Sequence, residues 1–105
     1  MRTIKSKRDF ERVFSNGTRA NHRLVRVTYL EDDRVSGDVA FVAAKRLGNA
    51  VWRNRSKRVL REAARECGLD SHRGSFILFA TRSTYDSNPH DVADALRVIV
   101  KRLGL

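Results

Sequence analysis

Apolar residues return at two different spacings along this chain, and the changes of spacing mark out its elements. In "SKRDFERVFSNG", residues 6–17, Phe10, Val13 and Phe14 fall on one helical face. Ser6 suits the N-cap with Asp9 three residues on, a variant of the capping box, and Gly17 suits the position just past the last turn. The spacing then becomes strict alternation. "LVRVTYL", residues 24–30, sets Val25, Val27 and Tyr29 on one face and Arg26 and Thr28 on the other, as a half-buried strand does. The polar "EDDRVSG" reads as a turn and "DVAFVAA", residues 38–44, as the return strand of a hairpin. "SFILFAT", residues 75–81, is apolar on both faces, which predicts an internal strand.

Helical spacing returns twice more. At the C-terminal end Asn88 can cap a helix, Pro89 suits its first position, and Val92, Leu96, Ile99 and Leu103 form a stripe. Asp91 and Asp94 near its start, with Lys101 and Arg102 near its end, complement the helix dipole. Before it, residues 52–67 place Val59, Trp52, Ala63, Ser56, Cys67, Leu60 and Ala64 within an arc of roughly 140° on a wheel of about 100° per residue. Arg53, Lys57, Arg61, Arg65, Arg58 and Arg55 occupy the opposite side, with Glu62 and Glu66 at its far edge. The expected architecture is α+β: one two-layer sandwich over residues 1–105, a small mixed sheet with helices packed on it, in the order α-β-β-(β)-α-β-α.

Composition agrees with one globular domain: 105 residues, 41% hydrophobic and 32% charged, allow a single modest core. No apolar run approaches the ~18 residues of a membrane span, and the first ten residues hold no signal-peptide segment. The single cysteine permits no internal disulfide, which points to a reducing cytoplasm. Charge changes the picture more. The chain carries 22 Lys and Arg against 12 Asp and Glu, a net +10, which suggests a polyanionic partner.

Much of that charge is concentrated in "KRLGNAVWRNRSKRVLREAARECG", residues 45–68, with seven cations and no acid between Lys45 and Arg61. A merely solvated helix face normally mixes signs, and like charges at Arg53–Lys57, Lys57–Arg61 and Arg61–Arg65 repel at one-turn spacing. A nucleic acid relieves that repulsion, and arginine can grip phosphate in bidentate fashion or stack on bases. Asn54 is either a plain exposed amide or a reader of a base edge or 2′-hydroxyl. Gly48-Asn49 is first a turn with Asn49 as cap, and the amides at this helix start can also face a phosphate.

The spelling of this stretch resembles the signature of the bacterial ribonuclease P protein subunit. In that family a Lys-Lys/Arg pair precedes Gly-Asn-Ala-Val, then Arg-Asn-Arg, Lys-Arg and Arg-Glu, as "KRLGNAVWRNRSKRVLRE" does here. The likeness extends to "RDFERVFSNG", to Ala20-Asn21 before the first strand, to "SFILFATR" and to a terminal helix, so it spans nearly the whole chain. It implies a ribonucleoprotein endonuclease that removes the 5′ leader from precursor tRNA, with magnesium-dependent hydrolysis performed by the RNA subunit and no cofactor held by the protein. It further implies that Arg53, Asn54, Arg55, Lys57 and Arg58 contact the RNA subunit, with Lys45, Arg46, Asn49 and Arg61 extending that surface. A cleft between the first helix and the sheet is implied to hold the leader, with Phe10 and Phe14 facing it and Lys45 and Arg46 nearby; the residues themselves add Arg19 and Arg26 as charge along the same groove. The expected partners are the RNA subunit and precursor tRNA in the cytoplasm, one monomeric protein per RNA, with no membrane. The family also implies a left-handed βαβ crossover around the basic helix, where the general rule alone leads to a right-handed one. Ala44 stands where relatives often have Ser, and Leu24 and Val27 where aromatics are frequent.

The residues themselves leave several roles open. Phe10 and Phe14 can be core side chains or a platform for unpaired bases, and His22 could join Arg19 and Arg26 along the same groove. Trp52 can pack in the core or stack on a base. Cys67 reads as a small buried hydrophobe rather than a nucleophile. His22, His72 and His90 lack zinc spacing, and Glu31-Asp32-Asp33 is a solvated turn before it is a magnesium site. The rival readings are a structural RNA-binding protein of ribosomal or chaperone type and a protein nuclease that acts unaided. For the latter no catalytic set of side chains is recognisable in the sequence.

Overall fold

The computed structural model describes residues 2–33 and 37–105. The centre of the expected 31–37 turn, residues 34–36, lies outside the described residues.

Helix α1, Lys7–Asn16, begins as its sequence predicts: the Ser6 hydroxyl accepts a hydrogen bond from the Asp9 amide at 3.0 Å. It ends for a different reason. Gly17 is extended rather than left-handed, at φ −76° and ψ 161°. What excludes a side chain is space, since a Cβ there would lie 2.6 Å from the Val13 carbonyl oxygen and 2.7 Å from Thr28 Cγ2. The chain passes straight into strand β1, Thr18–Asn21, and then β2, Val25–Leu30.

The sheet has four strands in the order β1-β2-β4-β3, where β3 is Asp38–Val42 and β4 is Ser75–Ala80. The expected β2–β3 hairpin does not form. β4 lies between them, antiparallel to β2 with Thr28 opposite Ile77, and parallel to β3 with Val39 opposite Phe76. Hydrophobicity explains the exchange: β4 is the strand that is apolar on both faces, so it takes the centre. The short polar β1 takes the other edge of β2, leaving no edge on which β3 could return. The outer edge of β3 is covered in turn, because the Val39 amide donates to the Arg2 carbonyl and the Ile4 amide to the Val39 carbonyl.

A single 3-10 turn, Lys45–Leu47, leads from β3 to the long helix α2, Ala50–Cys67. After β4 come the short helix α3, Arg82–Asp86, and α4, Pro89–Arg102, capped by the Asn88 side chain accepting from the Asp91 amide at 2.9 Å. Helices α2 and α4 pack side by side on one face of the sheet. Val59, Leu60, Ala63 and Ala64 meet Val92, Leu96 and Ile99 over Val25, Val27, Phe76 and Leu78, and all of these side chains are buried. Among the described residues the other face carries α1 alone, which seals it at the buried Val13 and Ile77 and leaves the rest open. That asymmetry creates the candidate site.

Candidate nucleic-acid interface

Two basic surfaces result, one on each side of the sheet. The first is the outer side of α2. Asn49 caps this helix, its side-chain oxygen accepting from the Trp52 amide at 2.9 Å, and Gly68 ends it in the left-handed conformation at φ 69°. Five residues of the apolar arc are buried, Ser56, Val59, Leu60, Ala63 and Ala64, while Trp52 and Cys67 are half-buried at its margin. Asn54, Arg55, Arg58 and Arg61 are exposed, with Arg53 and Lys57 half-buried. The two faces of the wheel are therefore both realised.

The cations are not equally free. Arg55 donates from Nε to the Tyr85 carbonyl at 3.1 Å, and its guanidinium carbon lies 5.4 Å from the Tyr85 ring centre. The same ring stacks on Trp52 at 6.0 Å and 16°, so the indole packs on α3 as well as against the core margin. Arg61 reaches over the Phe41 ring of β3 at 5.2 Å. The Cys67 thiol donates to the Ala64 carbonyl, and burial pushes it above the ordinary thiol value, which suppresses the thiolate.

The second surface is the open face of the sheet beside α1. Opposed residues share a face, so Asn21, Arg26, Phe79 and Val42 run across it strand by strand. Phe10 and Phe14 stack at 6.3 Å and 10°, and Phe14 meets Phe79 at 6.0 Å in a tilted pair. Arg19 lies over Phe14 at 4.9 Å and donates to its carbonyl at 3.0 Å. The resulting hollow of about 360 Å³ is lined by Phe14, Arg19, Asn21, Arg26, Arg46 and Phe79 among others. An adjoining hollow of about 320 Å³ shares Arg26 and Arg46 and adds Arg23 and Arg82.

The structure thus gathers Phe14, Arg19 and Arg26 in one place, with the half-buried Phe10 stacked behind Phe14. Lys45 is exposed on the 3-10 turn, outside the residues that line the hollow, whereas Arg46 forms part of its wall. Sequence reasoning missed Phe79, Asn21, Arg23, Arg82 and Tyr85. Phe79 was legible as the outward partner of Ile77 in the β4 alternation. The others lie on short polar segments with no periodicity. Of the histidines, His22 accepts from the Leu24 amide through Nδ1 at 3.1 Å. His90 is bonded to Glu66 at 2.8 Å, and this hydrogen bond first, then the Asp94 and Glu66 charges, raises its pKa above the ordinary 6.5. Among the described residues no group of three or more His, Cys, Asp or Glu side chains could hold a metal ion, and no helix is long and apolar enough to cross a membrane.

An aromatic and arginine cleft on one face, with an arginine ridge on the other, is a geometry suited to single strands and to phosphate backbones respectively. Comparison with known proteins narrows it. The family model described as Ribonuclease P matches residues 1–104. The chain belongs to the ribonuclease P protein family. Among its relatives, the Ribonuclease P protein component of Streptococcus agalactiae serotype III (strain NEM316) is 30% identical over 104 residues, 97% of this chain and 94% of that protein. The corresponding component of Thermoanaerobacter sp. (strain X514) is 27% identical over 103 residues, 97% and 89% of the two chains. The fold agrees with solved family structures. The Staphylococcus aureus RNase P protein superposes with a TM-score of 0.80 at 24% identity, covering 98% of this chain and 95% of that one. For the protein from Thermotoga maritima the TM-score is 0.79 at 20% identity, with 97% of each chain covered.

Proposed function

We propose that this chain acts as the protein subunit of ribonuclease P in removing the 5′ leader of precursor tRNA, and that its two basic surfaces divide the work. The α2 ridge, from Arg53 to Arg61 with Lys45 and Asn49 at its foot, docks the RNA subunit by neutralising phosphates. The α1–sheet cleft holds the single-stranded leader, its bases stacking on Phe14 and Phe79 while Arg19, Arg26 and Arg46 meet the backbone. The observation that carries this reading is the separation of the surfaces: the helices that cover one sheet face leave the other open, so both RNAs can be bound at once.

Hydrolysis falls to the RNA subunit and its Mg²⁺ in this reading. The protein's part is to hold the leader and to raise substrate affinity and local magnesium occupancy, as one monomer per RNA in the cytoplasm. Reconstitution tests it. Added to the cognate RNA, the chain lowers the magnesium concentration needed for leader removal, and Arg55→Ala weakens that effect. A chain that leaves the magnesium requirement unchanged favours a general RNA-binding protein instead. Leader cleavage by the RNA-free chain, abolished at one carboxylate or histidine, favours an unaided nuclease.

A further inference from the structure

Arg55 stands apart from the other cations of the α2 ridge because a different element holds it by a hydrogen bond as well as by a ring, whereas Arg61 has only the Phe41 ring. Its Nε–H is taken by the Tyr85 carbonyl at 3.1 Å, and the guanidinium lies over the Tyr85 ring at 5.4 Å. No hydrogen bond among the described residues engages its Nη groups, and the residue is exposed. One edge of the planar fork is thus fixed to the protein, while the Nη–Nη edge that grips phosphate in bidentate fashion has no hydrogen-bond partner among the described residues.

The brace is itself held. The buried Thr84 hydroxyl donates to the Leu24 carbonyl at 2.6 Å and the Thr81 hydroxyl to the Arg23 carbonyl at 2.6 Å, which ties α3 to the loop between β1 and β2. The Tyr85 ring also stacks on Trp52. The indole rests in turn on Gly48, where a Cβ would come within 2.7 Å of Trp52 Cγ. A five-residue helix with little core of its own is therefore held by two threonine hydroxyls and by the contact of its one aromatic ring with Trp52.

We propose that Tyr85 is a positioning residue, which holds the Arg55 guanidinium in the geometry that receives a phosphate of the RNA subunit. The inference rests on the docking role proposed above for α2. A long exposed side chain normally loses rotamer freedom on binding, at a cost of roughly two- to tenfold in affinity. Arg55 has given up that freedom in the free protein, so it binds at a smaller entropic cost than its neighbours.

The test is a double-mutant cycle on binding of the cognate RNA subunit transcript, read by filter binding, with each protein's fold checked by circular dichroism. Tyr85→Leu keeps apolar volume against Trp52 and removes the ring beneath Arg55; Tyr85→Phe keeps the ring. The expected result is a roughly three- to tenfold loss for Tyr85→Leu, wild-type affinity for Tyr85→Phe, and less than about a twofold further loss when Tyr85→Leu is added to Arg55→Ala. Losses that multiply in the double variant, or wild-type affinity for Tyr85→Leu where Arg55→Ala binds weakly, overturn the inference and leave the docking role standing. Wild-type affinity for Arg55→Ala overturns the docking role, and the inference falls with it. A second readout needs no variant to fold: the free wild-type protein should show an Arg55 Nε–H resonance protected from solvent exchange, and its absence also overturns the proposal.

Discussion

Arg26 of β2 lies directly opposite Phe79 of β4 across the antiparallel pair, so a guanidinium and an aromatic ring stand side by side on the open face of the sheet. Directly opposed side chains have Cβ atoms about 4.5–5.5 Å apart. A nucleotide placed there meets a ring for its base and a cation for its phosphate within one step of the strand. Phe14 completes the aromatic side of this arrangement and is 42% exposed, so its removal costs little folding stability, α1 being anchored by Val13.

Phe14→Ala is therefore expected to weaken binding of leader-bearing precursor by about 1–3 kcal/mol, the usual worth of a base stacked on an aromatic ring. Leaderless tRNA should bind the holoenzyme as before. Dissociation constants for the two substrates check this, and an equal loss on both would place Phe14 outside the leader path.

Binding of the RNA subunit should depend steeply on salt. With about six phosphates neutralised, log K is expected to fall by roughly four to five units per decade of salt, and Arg58→Ala should reduce the slope by about one. A wild-type slope near one or two would contradict the docking role of α2.

Thr84→Val keeps the shape of a fully buried residue but removes two hydrogen bonds, the donation to the Leu24 carbonyl and the acceptance from the Thr81 amide at 2.8 Å. Leaving those backbone groups unpaired is expected to cost about 1–3 kcal/mol in urea denaturation. Unchanged stability would show that α3 is held by its remaining contacts, the Thr81–Arg23 hydrogen bond and the Tyr85 ring and carbonyl.

His90 should titrate above 6.5, because imidazolium is favoured by its hydrogen bond to Glu66 and by Asp94. A raised folded-state pKa means that this contact between α2 and α4 stabilises the protein fully below about pH 6.5 and fades as pH rises through the folded value. Proton NMR titration of the His90 ring checks the direction, and Glu66→Gln should bring the value back towards 6.5. A ring that titrates at or below 6.5 in the wild type would contradict the assignment.

Periodicity made the helices legible, since caps and apolar faces are local properties: Ser6, Asn49 and Asn88 each cap the helix their position announces. Strand partners are not local. The sequence order of β2 and β3 suggested a hairpin, yet the strand with two apolar faces arrives 33 residues after β3 and separates them. The cleft was half legible for the same reason. Phe10 and Phe14 follow from one helix, and the "KRLGNAVWRNRSKRVLRE" spelling pointed to the family. Phe79, Asn21 and Arg82 join the site only through strand register and through α3, whose five residues carry no repeat to read.

Gly17 gives the cleft its gauge. Because no side chain can stand between α1 and the β2 strand beneath it, the height of the Phe14 wall above the Arg26–Phe79 floor is set by the covalent chain, not by adjustable packing. A single added methyl would act as a shim, lifting the helix away from the sheet. The groove is in that sense machined to one clearance, and the residue that sets it is not among those that line it.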